Sequence, residues 1–398
     1  MRIRAIAVGT KVRYANGRVI VDSRIPSFIE VARDCFAEAG LVPQTTRLAV
    51  QPFPSVVPPD RDAVIDFARA LEAAGSEAGF GYMSMGPVAP DSLDYVPYLT
   101  EAILNTASVF GTVITGDQRW GISLPSVAAA SGVIAALVRR SDQGFGNLRF
   151  AALANCPPDI PFFPAGYHHG EQSSFGIAWE AADLAVDAFS TAGTIMEAQQ
   201  RLLAMIEREG ARVARLAKDL AERQEISFNG IDLSLAPFPE EARSIGAAFE
   251  RLGVDVFGAP GTLFIASLIT GVLQQARVPK TGYSGLMLPV LEDLVLGERA
   301  AQCTYTVNDL LLYSAVCGLG LDVVPLPGEI GIDELRGLLL DMTTLAVRLD
   351  KPLSARLMPL PGKQPGDPTG FSFSYFANGV VMPVKGYGAS RLFAREGL

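Results

Sequence analysis

Apolar strand-type runs and helical runs alternate along this chain from end to end, and that alternation constrains its fold more than any other feature. Residues 1–9 (MRIRAIAVG) run apolar into a glycine, as a first strand does. Residues 25–39 have helical spacing, with Gly40 placed as a C-terminal cap. The pattern repeats with strands at 46–50, 79–85, 109–114, 148–154, 230–235, 321–324, 354–359 and 379–382. Helices are expected at 61–74, 96–108, 127–139, 178–189, 195–223, 240–252, 263–275, 286–301, 309–316 and 332–346. Such alternation favours a mostly parallel sheet or barrel. A count of about nine to ten strands points to a closed barrel in one large α/β domain. No low-complexity linker divides residues 1–398, so one domain is expected.

With 49% hydrophobic and 19% charged residues, much of the chain must be buried. A formal net charge of −9 argues against nucleic acid, whose binding needs a basic surface. No apolar run reaches about 18 residues, so no membrane span is expected. The N-terminal pattern is that of a strand and not of a signal peptide. The four cysteines lack C-x-x-C spacing, which fits reduced thiols in a soluble cytoplasmic protein. A homo-oligomer is expected.

Several segments carry residue types suited to chemistry. Residues 308–328 read as an apolar helix with Cys317 near its end, a Gly318-Leu319-Gly320 break, then a strand with Asp322. Cys317 is a candidate nucleophile or thiolate ligand, against a core-packing reading. The proline-rich loop 155–169 ends in Tyr167 and the only two histidines, His168 and His169; its prolines restrict the backbone, which suits a pocket wall as well as a surface loop with a solvated histidine pair. His168 is a candidate acid or base, since histidine titrates near neutrality unaided.

Asp232 lies in an apolar strand, where a carboxylate is costly unless paired or metal-bound. Asp322 repeats that situation. With a histidine, the two acids form a candidate acid/base or divalent-metal site. Glu180 is read at the start of a helix with Asp183 and Asp187. Tyr283 and Ser284 sit in a small-residue loop (281–287) read as opening a helix, a place that favours an anion. It has neither Walker nor G-x-G-x-x-G spacing. Arg356 in an apolar strand needs a partner, and Asp232 or Asp322 would serve; Lys363 follows in a Pro-Gly turn. Together they are candidates for holding a substrate anion.

The ordered segments RAIAVG, PFFPAGYHHG, IDLSLAP, GYSGLMLPVLED, LLLYSAVCGLGLDVVPLPG and KPLSARLMPLPGK resemble the DUF711 (UPF0210) family over nearly the whole chain. The resemblance implies a fold like pyruvate formate-lyase, a ten-stranded α/β barrel. It brings no settled activity. Its bacterial members are often encoded beside a small ACT-domain protein, which implies a link to amino-acid metabolism. The chain is shorter than typical relatives, and Trp179 and His169 depart from the expected pattern. Residues 384–387 (VKGY) echo the glycyl-radical motif without its arginine, so radical chemistry is not expected.

Two functional classes follow. The first is an enzyme (lyase, transferase or hydrolase) acting on an amino acid or carboxylate by acid/base, metal-assisted or cysteine chemistry. The second is a non-catalytic ligand-binding or regulatory protein working with an ACT-domain partner.

Overall fold

A computed structural model of the chain describes residues 1–386 and 388–398. Among these residues twelve strands form: β1 Arg2–Gly9, β2 Arg13–Ala15, β3 Arg18–Ile20, β4 Thr45–Ala49, β5 Tyr82–Val88, β6 Val109–Asp117, β7 Gly121–Ile122, β8 Phe150–Ala154, β9 Ser174–Glu180, β10 Ser227–Ala236, β11 Gly320–Pro327 and β12 Leu353–Leu360. Ten belong to one sheet, ordered β10-β9-β1-β4-β5-β6-β8-β12-β11, with β7 beside β6. β2 and β3 form a separate hairpin.

The sheet is mixed. β1, β4, β5, β6 and β8 run parallel to one another. β9 joins β1 antiparallel and carries β10 parallel to itself. On the other side β12 joins β8 antiparallel and carries β11. A five-strand parallel block is thus flanked by two parallel pairs running the opposite way. The strands are buried on both faces, which explains their continuous apolar runs.

The expected barrel does not close: among the described residues no ladder joins β10 to β11. The connecting segment meets them through single bridges only, Lys280 to Ile231 and Pro289 to Asp322. Its composition gives the reason. Prolines at 279 and 289 and glycines at 282 and 285 interrupt the regular alternation a tenth ladder strand would need.

The sheet is nevertheless strongly curved, because residues from β1, β4, β5, β6, β11 and β12 line one cavity. The main apolar core lies between sheet and helices and includes Ile3, Ile6, Val8 and Leu48. A smaller cluster on the inner face includes Ala5, Ala178, Phe162, Tyr283 and Met287. Outside, helices Leu124–Arg140 and Ile332–Leu349 pack on β6 and β8, and the long helix Ile195–Gln224 packs on β10.

Two local readings are corrected. Trp179 and Glu180 do not begin a helix. They end β9, all of whose residues are buried, and the helix starts at Ala182. Nor does the loop 281–287 open a helix: it leads to a short 3-10 turn, Val290–Glu292. The following helix begins at Leu294 under an Asp293 cap, whose carboxylate accepts from Leu296 N–H at 3.0 Å. The strand expected at 379–382 reduces to one bridge, Pro368 to Val380. Tyr387 of the 384–387 segment lies outside the described residues.

Candidate anion-binding cavity

Four buried arginines converge on the inner face of the sheet: Arg4, Arg47, Arg243 and Arg356. Three buried carboxylates face them, Glu180, Glu292 and Asp322. Local backbone irregularities aim two of these charges. In the β1/β9 ladder Ile3 pairs with Trp179 and Ala5 with Ala178, so Arg4 is the extra residue of a β-bulge. In the β11/β12 ladder Leu321 pairs with Ala355 and Val324 with Leu357. Asp322 and Val323 therefore both stand opposite Arg356. The bulge puts Val323 at φ 40°, a backbone conformation a β-branched residue seldom adopts. Arg47 reaches the cavity by simple alternation: Leu48 enters the outer core, whereas Thr45, Arg47 and Ala49 face inward.

The ion pairs form a chain. Arg243 is paired with Glu180, and Gln44 Nε2 donates to Glu180 at 2.6 Å. Arg4 lies 3.7 Å from Glu180 and donates to Glu292 at 2.5 Å. Arg356 donates to Glu292 at 3.1 Å and, through Nε, to Asp322 at 2.7 Å. Burial pushes the Asp322 carboxyl up, opposed by Arg356, with nearby Glu292 adding to the push.

Arg47 is left over. Its Nε donates to Thr45 Oγ1 at 3.2 Å and its Nη1 to the Pro161 carbonyl at 3.2 Å, and its guanidinium sits 5.5 Å from the centre of the Phe163 ring. Among the described residues no carboxylate lies within ion-pairing distance of it. Burial and the neighbouring Arg4 push its guanidinium down to about 9.

Two adjoining chambers result. The outer one is lined by Arg4, Gln44, Thr45, Arg47, Tyr82 and Phe110, among others. Arg4, Arg47, Phe163, Glu292 and Arg356 are shared with the inner one, which adds Tyr283, Asp322 and Ser354. Their volumes are about 50 and 40 Å³, room for a few water molecules each at about 10–15 Å³ apiece. The outer chamber lies at the amino-terminal edge of the five-strand block, since Tyr82 and Phe110 sit in the first two positions of their strands. That is opposite to the usual carboxyl-edge location in parallel sheets.

The sequence candidates divide accordingly. Asp322, Tyr283 and Arg356 line the cavity, and Glu180 belongs to its ion-pair chain. Tyr283 Oη donates to Ser354 Oγ at 2.9 Å, and burial raises its phenol well above the ordinary value. Asp232 does not reach the cavity. Its carboxylate accepts from Ser234 N–H and Oγ–H at 3.0 and 2.6 Å, and from the N–H groups of Tyr283 and Ser284 at 2.8 and 2.9 Å. It clasps the loop that carries Tyr283. Ser284 Oγ completes the clasp, accepting from Leu233 N–H at 3.1 Å and donating to the Thr281 carbonyl at 2.8 Å.

The other candidates stand apart. His168 is buried beside Gly9 at the far end of β1, its Nδ1 2.8 Å from Asp159. Tyr167 Oη donates to the Cys156 carbonyl at 3.1 Å. Cys317 is 1% exposed in the main apolar core, and its carbonyl accepts from Lys351 Nζ. Lys363 lies in the turn after β12 and lines neither chamber. Asp232, Asp322 and His168 therefore do not meet. Among the described residues no three or more His, Cys, Asp or Glu side chains group closely enough to hold a metal ion. No helix among them is long and apolar enough to cross a membrane.

Sequence reasoning passed over Arg4, Arg47, Glu292 and Gln44. The signal was available for the arginines: a charge inside an apolar alternating strand, in RIRAIAVG and TTRLAV, the criterion that singled out Arg356.

Fold and cavity define an α/β protein whose curved mixed sheet encloses an arginine-rich pocket. The chain belongs to the family described as "Uncharacterised ACR (DUF711)", whose model matches residues 1–373. It is similar to a UPF0210 protein of Pyrobaculum arsenaticum, 32% identical over 81% of this chain and 75% of that protein. It is also similar to UPF0210 protein MK1214 of Methanopyrus kandleri, 30% identical over 93% and 85% of the two chains. A UPF0210 protein of Oleidesulfovibrio alaskensis is 28% identical over 90% and 83%.

Proposed function

We propose that the chain is an enzyme that takes a small carboxylate-bearing metabolite into this cavity and holds its anionic group on Arg47. The observation that carries the reading is the charge imbalance. Glu180, Glu292 and Asp322 are engaged by Arg4, Arg243 and Arg356, whereas Arg47 is buried with no carboxylate at ion-pairing distance among the described residues. A buried unpaired charge is costly, and an arriving carboxylate removes that cost. Guanidinium donors match a carboxylate's geometry.

The groups able to move a proton at the bound molecule are Asp322 and Tyr283, which line the inner chamber. Burial raises both groups, and at Asp322 the Arg356 ion pair opposes it. In this reading Asp322, held by Arg356, accepts a proton from the ligand and Tyr283 donates a hydrogen bond to it. Cysteine chemistry has less support: Cys317 lies in the core, and burial pushes the Cys156 thiol up to about 12, which disfavours the thiolate. Kinship with the pyruvate formate-lyase fold is part of the proposal, supported by opposed parallel strand blocks curved around one cavity. So are assembly as a cytoplasmic homo-oligomer and work alongside an ACT-domain protein.

The test is calorimetry of the intact protein against a panel of amino and carboxylic acids, with product analysis of each mixture. Binding in the millimolar range or tighter, lost in Arg47→Gln, together with a new product, is the expected result. Binding without product makes the chain a ligand-binding protein. No binding by any acid, or binding unchanged in Arg47→Gln, sinks the reading.

A further inference from the structure

The two chambers are small, yet the outer one borders a much larger space. A groove of about 520 Å³ lies against it, and Tyr82, Phe110, Leu148 and Phe373 line both. The groove continues past Phe145, Phe371 and Ala107 to Arg149. The wall is aromatic or aliphatic at these residues except Arg149, and polar along one rim at Ser141, Asp142, Gln143, Arg149 and Ser372. Phe145 and Phe376 each pack on Phe371, Phe373 and one another, with ring centres 5.1–6.2 Å apart.

Resting on the reading of Arg47 as the carboxylate anchor, we infer that the metabolite is an amphipathic acid. Its head group lies in the chambers, and its apolar tail runs outward between Tyr82, Phe110, Leu148 and Phe373 into the groove. Volume decides between this and a compact amino acid. The chambers hold only a head group, while the adjoining groove has about ten times the room of the outer chamber. Chemistry agrees with volume. The charges gather on Arg4, Arg47, Glu292 and Arg356 at the inner end, and the passage outward is lined by rings and Leu148. An apolar tail buried there gains about 0.8 kcal/mol per methylene, or three- to fourfold in affinity.

The experiment measures affinities of straight-chain monocarboxylates from acetate to dodecanoate, below their micellar concentrations, for wild type, Ala107→Trp and Arg47→Gln. Ala107 is exposed and lines only the groove, so tryptophan there fills the tail path and leaves the chambers intact. The expected result is affinity rising about three- to fourfold per methylene over the middle of the series. In Ala107→Trp the rise should stop at a shorter chain, with short acids binding as in wild type. Affinity independent of length, or a rise that Ala107→Trp does not shorten, overturns the inference while leaving the carboxylate reading in place. Long acids binding Arg47→Gln as tightly as wild type would show surface adsorption and overturn it as well. Failure of every acid to bind defeats the underlying reading and this inference with it.

Discussion

Replacing Arg47 with methionine should make the ligand-free protein more stable and deprive it of its ligand. The magnitude follows from the site. Burial and Arg4 lower the Arg47 guanidinium to about 9, which corresponds to roughly 5 kcal/mol of uncompensated charge burial. Against that gain stand the hydrogen bonds to Thr45 Oγ1 and the Pro161 carbonyl and the contact with Phe163. Those interactions offset about 2–4 kcal/mol of it. Methionine fills much of the same volume and adapts to irregular space. The net expectation is a stabilisation of about 1–3 kcal/mol, and a chain this long gains about 1 °C in Tm per kcal/mol. Differential scanning fluorimetry with and without carboxylates reads both sides: Arg47→Met should melt a few degrees higher alone and show no further rise with ligand. A variant that melts several degrees lower, or that keeps the ligand-induced rise, would refute the idea that Arg47 is a charge held in reserve for an anion.

Carboxylate affinity should be flat from about pH 6 to 8 and fall by about tenfold per pH unit above pH 9, where Arg47 loses its proton; calorimetry across that range checks it. The same depressed value means the folded protein releases this proton before the unfolded chain does. Arg47 therefore adds to stability as pH rises above 9, so a loss of binding there is not unfolding at this residue. Asp232→Ala strands the Tyr283 and Ser284 N–H groups and should cost about 3–5 kcal/mol in urea unfolding; a stable variant that loses only turnover would instead make Asp232 a chemical participant. Cys317→Ala should cost about 1–2 kcal/mol of stability and leave carboxylate affinity unchanged; a tenfold affinity loss would place the thiol's influence in the cavity.

The elements of this fold were largely legible because fully buried strands and amphipathic helices differ in period, and most strands lie within two or three residues of their expected positions. What escaped were features set by pairing between distant segments. The two antiparallel seams, β9 against β1 and β12 against β8, leave no local trace, because a buried strand reads the same in either direction. Trp179 and Glu180 were misread since the alanine-rich run after them extends a helical pattern backward into β9. The cost of burying a lone charge names Asp232 or Asp322 as the partner of Arg356, and Asp322 is the one that pairs with it. The same rule applied to Arg4 and Arg47 would have located the cavity. Asp232 obeys it too, but its partners are backbone N–H groups, which sequence cannot display.

The two β-bulges have a consequence for how such a cavity diversifies. Arg4 and Asp322 reach it because one residue in each strand has no opposite number. Deleting a residue at either place would restore a regular ladder and leave the side chains beyond it on their present faces. Loss of Val323, for instance, would remove the left-handed backbone at that point and leave Asp322 alone opposite Arg356. Single-residue gaps at the bulges therefore relieve the irregularity without moving the rest of the strand, whereas gaps elsewhere in β1 or β11 would turn every side chain beyond them to the other face. Among chains of this architecture, ligand choice can drift by length as readily as by spelling.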